Sequence, residues 1–223
     1  MEKVSVSCAV VMPWTSTPGR ACVPHSVFDG PMGEIVVVRH GQTEWSRSGQ
    51  HTGVTDLPLL PEGENQARAL RTSLVGRSFV AVWVSPRLRA RHTAELAGLA
   101  ATGIDDDLVE MDYGGYEGRT TAAISAELGR PWSVWLDRGP ADCPGETPAD
   151  VGLRVDRVLD RARAFLADGD VALVAHGHVL RILTARRLGL PPGSGALFAL
   201  PAGSYGVLGF EHERPVLSAW GAR

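Results

Sequence analysis

Three short apolar runs, Ile35 to Val38, Phe79 to Ser85 and Val171 to Ala175, recur along the chain and are separated by amphipathic segments of helical period. The first is four β-branched residues in succession, the pattern of a strand covered on both faces. Helical spacing predicts helices over Pro61 to Val75, Arg87 to Leu99 and Pro148 to Leu166. The last of these sets Val151, Val155, Val158, Leu159, Ala162, Phe165 and Leu166 on one face, with arginines and aspartates between them. A further helix is expected from His178 to Leu188 and a late strand from Tyr205 to Phe210. Strands alternating with helices imply an α/β fold, a three-layer sandwich whose mainly parallel central sheet is flanked by helices.

Composition narrows the function. With 22 basic and 25 acidic residues the 223-residue chain has a formal charge of −3, without the basic surplus that nucleic-acid binding needs. All the cations but Lys3 are arginine, and most are expected to be solvated surface. Residues 1–33, rich in Pro, Gly, Ser and Thr and without periodicity, read as a tail, either disordered or draped over a domain spanning 34–223. Cys8, Cys22 and Cys143 form neither a disulfide framework nor a zinc knuckle, which fits a reducing cytoplasm. No apolar run approaches the roughly 20 residues of a membrane span. The opening MEKVSVSCAVVM leads to no small-residue cleavage site, so a cytoplasmic location is expected.

In such sheets the ligand lies off the carboxyl ends of the strands, so the residues after each apolar run carry the chemistry. Those residues are RHGQTEW (Arg39 to Trp45), SPRLRARHTAEL (Ser85 to Leu96) and HGHVLR (His176 to Arg181). Arginine and histidine thus converge from three strand ends, a combination suited to phosphate, whose oxygens accept bidentate guanidinium bonds. Spacing alone does not choose among Arg87, Arg89 and Arg91, nor among Glu110, Asp112 and Glu117.

These segments resemble the histidine phosphatase superfamily, the phosphoglycerate-mutase-like proteins. RHGQTEW resembles its first-histidine signature, HTGVTDLPLLPEG its substrate loop, SPRLRARHTAEL its arginine element, EMDYGGYEG its acid element and HGHVLR its second-histidine motif. Five elements in order make a specific signal. RHGQTEWSRSGQHTGVTDLPL is especially similar to fungal sedoheptulose-1,7-bisphosphatase-type members, and CPGETPAD and FALPAGSYGVLGFEHE are similar to bacterial acid phosphatases.

The resemblance implies that His40 is the nucleophile, that Arg39, Arg89 and His176 hold the phosphate, and that Glu110 is the proton donor. Chemistry supports the roles independently. An imidazole splits one displacement into two, arginines neutralise the phosphoryl oxygens without a metal, and a carboxyl beside a dianion gains proton affinity. Gly41 and Gly177 are expected to let backbone approach the phosphate, with the amides of Gln42 and His178 as donors. Ser46, Arg47, His51, Thr52, Gly53 and Tyr113 are expected near the rest of the substrate, a small phosphorylated metabolite such as a sugar phosphate or bisphosphate.

A rival reading puts His176 and His178 on one strand face as metal ligands. The other strand ends carry arginines, which repel a cation, so no metal or other cofactor is expected. Mutases of the superfamily resemble longer chains with an asparagine where Ser46 stands, so hydrolysis is expected over phosphoryl transfer between oxygens. The intact residue set argues against a pseudoenzyme that only binds phosphorylated ligands. A homodimer is left open. Trp132, Val134, Trp135 and Leu136 read as core or lid packing, and Arg154, Arg157, Arg161 and Arg163 as a solvated helix face.

Overall fold

The computed structural model describes residues 33–223, so the predicted tail and its Cys8 and Cys22 lie outside the described residues apart from Gly33. Six strands form one sheet: β1 (Ile35–Arg39), β2 (Phe79–Val84), β3 (Gly103–Ile104), β4 (Asp170–Ala175), β5 (Tyr205–Glu211) and β6 (Arg214–Ala222). Their spatial order is β3-β2-β4-β1-β5-β6. The β3-β2, β2-β4 and β4-β1 pairs are parallel, and β5 and β6 add an antiparallel edge. Among the described residues the α-helices are α1 (Glu44–Ser48), α2 (Pro61–Ser73), α3 (Leu88–Leu96), α4 (Thr121–Leu128), α5 (Pro148–Arg163) and α6 (Gly177–Arg187).

The β-branched run behaves as its composition requires. Ile35 and Val37 enter one core with residues of α5 and α6, while Val36 and Val38 enter another with residues of α2 and α3. Successive side chains point to opposite faces of a strand, so only a strand buried on both sides tolerates four such residues in a row. Helix α5 starts at a capping box, with Thr147 and Asp150 exchanging bonds and Pro148 in the first turn. Its Val151, Val155, Val158, Leu159 and Ala162 are buried.

Register places the chemistry. Arg39 pairs with Ala175, and the His40 amide donates to the Ala175 carbonyl at 3.0 Å, so the next residues of β1 and β4 are neighbours. On the other side of β4, the Ser85 amide continues the β2 ladder to the Val174 carbonyl. His40, His176 and Ser85 therefore meet where the chain leaves β1 toward one edge of the sheet and β4 toward the other, the crevice open α/β sheets use for ligands.

Two expectations are corrected. Arg157, Arg161 and Arg163 are exposed as expected, but Arg154 is buried, paired with Glu146 at 2.9 Å and donating to the Asp107 and Val109 carbonyls at 2.7 Å each. The reason is local: the segment before Glu110 makes only a single 3-10 turn, Asp106–Leu108, beside α5, and Arg154 supplies donors to the Asp107 and Val109 carbonyls. Leu136 is 90% exposed, whereas Trp132 and Val134 are buried and Trp135 packs partly against the core. Replacing Arg154 by Met leaves the Glu146 carboxylate with the Asp112 amide alone and leaves two carbonyls without their donor. We expect a loss of about 2–4 kcal/mol in urea unfolding, against less than about 0.5 kcal/mol for exposed Arg163→Met.

Candidate active site

A cleft of about 180 Å³ opens at this crevice, lined by Arg39, His40, Ser46, Gly49, Gln50, His51, Thr52, Glu110, Tyr113 and His178. His40 lies at its floor, only 4% exposed. Its Nδ1 is 2.7 Å from the Gly41 carbonyl, an acceptor only, so Nδ1 carries the proton and Nε2 keeps its lone pair. Burial, with Arg89 and Arg39 nearby, pushes the His40 pKa down to about 3, so the ring is neutral at physiological pH.

Arg89 and His176 lie deeper, both with 0% exposure. The His176 ring stands 5.2 Å from that of His40 between centroids. Arg89 Nε donates to His176 Nδ1 at 3.1 Å, which makes Nδ1 the acceptor and leaves Nε2–H to donate to Ser85 Oγ at 2.7 Å. The remaining Arg89 bonds go to carbonyls: Nη1 to Thr55, Nη2 to Thr52 and Gly53. Burial and the neighbouring Arg89 hold the His176 pKa well below the usual histidine range. Among the three candidate arginines Arg89 is thus the one facing the site, although its bonds here hold protein groups.

Arg39 donates Nη1 to the Leu200 carbonyl, while its buried Nε has no hydrogen-bond partner among the described residues. A buried donor without an acceptor is costly, and an anion in the cleft is the kind of group that supplies one. Gly177 makes room for this guanidinium: a Cβ there would lie 3.2 Å from Arg39 Cζ. Gly41 answers a different constraint from the expected one, since a Cβ there would meet the Gly63 carbonyl of α2 at 2.1 Å.

The acid alternatives separate by geometry. Glu117 accepts the Gly53 and Thr55 amides and anchors the substrate loop, and Asp112 accepts the Gly114 amide. Glu110 alone of the three lines the cleft. Its Oε1 accepts the Met111 and Val179 amides at 2.9 and 3.0 Å, and Oε2 accepts the His178 amide at 3.0 Å. Burial pushes its pKa up, but His178 beside it, His176 and these amides outweigh that and hold the carboxyl well below the usual range.

Several expected contacts are absent. The Gln42 amide is taken by Gln66 Oε1 at 2.9 Å and the His178 amide by Glu110, so neither is free for a phosphate. Arg47 is exposed and paired with Glu44 at 2.6 Å. Ser46 lines the cleft, yet its hydroxyl closes the capping box of α1 with Thr43. Thr52 and Gly53 present their carbonyls to Arg89. His51 packs 4.7 Å from the Tyr113 ring, and the Tyr113 hydroxyl is 2.6 Å from His178 Nδ1. His176 caps α6 and His178 lies within it, so the strand alternation behind the metal reading does not exist. Ser85, Thr93 and Glu117 stand inside the sequence motifs and Arg154 outside them, and each bonds a partner distant in the chain that spacing does not reveal, Ser85 to His176, Thr93 to the Gly41 amide, Glu117 to the Gly53 amide and Arg154 to the Asp107 carbonyl.

Residues 35–223 match the family described as the histidine phosphatase superfamily, branch 1. The chain is 40% identical over 181 residues to an acid phosphatase of Mycobacterium tuberculosis, covering 80% of this chain and 87% of that protein. It is 39% identical over 188 residues to a sedoheptulose 1,7-bisphosphatase of Saccharomyces cerevisiae, covering 70% of this chain and 67% of that one. Among solved structures, the product of a Mycobacterium tuberculosis open reading frame superposes with a TM-score of 0.80 at 38% identity, over 85% of this chain and 97% of that one. A mycobacterial glucosyl-3-phosphoglycerate phosphatase complexed with VO3 superposes with a TM-score of 0.74 at 28% identity, over 86% of this chain and 100% of that one. The chain belongs to the histidine phosphatase superfamily and has its phosphoglycerate-mutase-like fold. It is an enzyme of the phosphatase class.

Buried neutral histidines tie stability to pH. His40 has a folded pKa of about 3 against an ordinary value of 6.5, so between these values the unfolded chain binds the extra proton. Its stabilisation is complete above pH 6.5 and is lost as pH falls toward 3, by about 1.4 kcal/mol per unit at the steepest. We expect His40→Asn to flatten the decline of unfolding free energy between about pH 6.5 and 5, measured by urea titration. Equal slopes in wild type and variant would sink this account.

Proposed function

We propose that the protein hydrolyses small phosphomonoesters, sugar phosphates foremost, through a phosphohistidine on His40. The observation that carries this is the His40 ring, neutral and with Nδ1 tied to the Gly41 carbonyl so that Nε2 faces an arginine-lined cleft with its lone pair free. Attack by Nε2 on phosphorus forms an N–P bond as the ester P–O bond breaks. Arg39 draws charge from the phosphoryl oxygens, and its unpartnered Nε is a donor available for them. Arg89 holds His176, and the two fix the electropositive floor beneath His40.

Glu110 supplies the proton that the departing alkoxide needs. It then takes one from water, whose hydroxide attacks phosphorus and releases His40. In the empty cleft the carboxyl is held ionised, so a bound phosphate dianion must raise its proton affinity before it can act. The names of two relatives, a sedoheptulose 1,7-bisphosphatase and a glucosyl-3-phosphoglycerate phosphatase, support a sugar-phosphate substrate. Arg47 does not line the cleft and is paired with Glu44 on the surface, which favours a single phosphate group over two.

The test is steady-state turnover on a panel that includes 3-phosphoglycerate, fructose 1,6-bisphosphate, sedoheptulose 1,7-bisphosphate and simple sugar monophosphates. Wild type is expected to release phosphate, monophosphates at least as well as bisphosphates. His40→Ala should lose on the order of 10³-fold or more in kcat, as removal of a nucleophile does. Full activity in that variant would remove His40 from its assigned role.

A further inference from the structure

The chemistry at phosphorus leaves two imidazole rings of the cleft, His51 and His178, without a task. Each is engaged at one nitrogen, and by a hydroxyl. His51 Nε2 lies 3.1 Å from Thr121 Oγ1, and His178 Nδ1 lies 2.6 Å from the Tyr113 hydroxyl. The other nitrogen of each ring, His51 Nδ1 and His178 Nε2, has no hydrogen-bond partner among the described residues. Neither is among the buried side-chain nitrogens that lack a partner there, which all belong to arginines, so both remain open to solvent in the cleft the rings line.

Both rings are braced. From the segment between α4 and α5, the Trp132 ring meets His51 at 5.4 Å and the Trp135 ring meets His178 at 5.0 Å. Arg181 covers Trp135 at 4.4 Å, its own donors held by the Gly195 and Ala196 carbonyls. The Tyr113 ring touches both imidazoles, at 4.7 Å from His51 and 5.7 Å from His178. The two imidazole centroids stand 6.1 Å apart, close enough for one small molecule to meet both free nitrogens. Each ring is thus pinned by a hydroxyl on one side and a tryptophan on another, with one nitrogen left to offer.

We propose that His51 and His178 form a subsite for the hydroxyl groups of the leaving alcohol and select polyol phosphates over plain alkyl phosphates. The inference rests on the phosphatase reading above and deepens it. A hydroxyl both donates and accepts, and so does a ring nitrogen whose partner on the far side can reverse its bond. Burial and Glu110 raise the Tyr113 pKa well above the usual phenol value, so Tyr113 stays neutral and its hydroxyl can donate to His178 Nδ1 or accept from it. The Thr121 hydroxyl has the same freedom toward His51 Nε2. Burial first, and then His178, pushes the His51 pKa down to about 4, so at physiological pH that ring offers no charge to a second phosphate. An alkyl chain in the same place would strip both nitrogens of water and return no hydrogen bond, the condition under which a polar site rejects an analogue lacking the hydroxyl.

The experiment compares glycerol 1-phosphate with propyl phosphate, whose leaving alcohols have the same carbon chain and differ only in hydroxyl groups. Wild type is expected to favour the glycerol ester at least about tenfold in kcat/KM. His178→Phe and His51→Phe keep a ring and remove its nitrogens, and each should lower that preference roughly two- to tenfold, the range one hydrogen bond contributes. His178→Gln and His51→Asn carry an amide toward the place of the free nitrogen. They should retain more of the preference than the Phe variants, and they provide the readout if those do not fold. Losses that are equal on both esters indicate a merely structural role and overturn the proposal, as does a preference that no variant changes. An active wild type that does not distinguish the esters overturns this inference alone, whereas a wild type that turns over neither overturns the phosphatase reading as well.

Discussion

Arg89 reaches from the first turns of α3 to four acceptors on two other segments, and the position of everything around His40 depends on that buried guanidinium. It ties His176 in one tautomer and binds the carbonyls of Thr52, Gly53 and Thr55. The same loop is held from its amide side by Glu117, so residues 52–55 are clamped from both directions. A fully buried cation is tolerable only when its donors are occupied and charge balance lies close by. The carbonyls meet the first condition, and Glu110 contributes to the second, its charge opposing the loss of proton affinity that burial imposes on Arg89.

The electrostatics follow from this core. Arg39, Arg89, His40, His176 and Glu110 share one desolvated pocket at the strand ends. Burial first, and then the two permanent cations beside them, keeps both histidines neutral, because a third or fourth positive charge in low dielectric would cost more than protonation returns. That same pressure leaves the His40 ring neutral and the pocket short of negative charge. One carboxylate against two guanidinium groups leaves an excess of about one positive charge, which a phosphate ester complements.

The sheet was legible in the sequence because its central strands are buried on both faces, and Ile35–Val38 and Val171–Ala175 announce that in composition alone. The helices with a single buried stripe, α2 and α5, were legible for the same reason. The edges were not. β3 has two residues, and β6, Arg214–Ala222, carries Pro215 and lacks clean alternation, which an edge strand can accept and a central one cannot. Helix α4 shows a Thr120 cap and a Gly129 stop, yet its small, weakly amphipathic face carries little periodic signal. Arg154 misled because the other arginines of α5, Arg157, Arg161 and Arg163, are exposed, and only its bonds to the Asp107 and Val109 carbonyls take it inside.

The sequence by itself determined the strand ends, the presence of two histidines and several arginines there, and the family, since those depend on local residue order. Tertiary structure decided which arginine and which acid serve the cleft, that the Gln42 and His178 amides are already spent, that Arg47 turns away, and that His178 stands beside Glu110. The reason is physical. A motif records which groups are available, but proton affinity and hydrogen-bond capacity belong to a neighbourhood assembled from segments as far as 161 residues apart, as between Arg39 and Leu200. Burial, which no spacing encodes, sets the charge each group can carry.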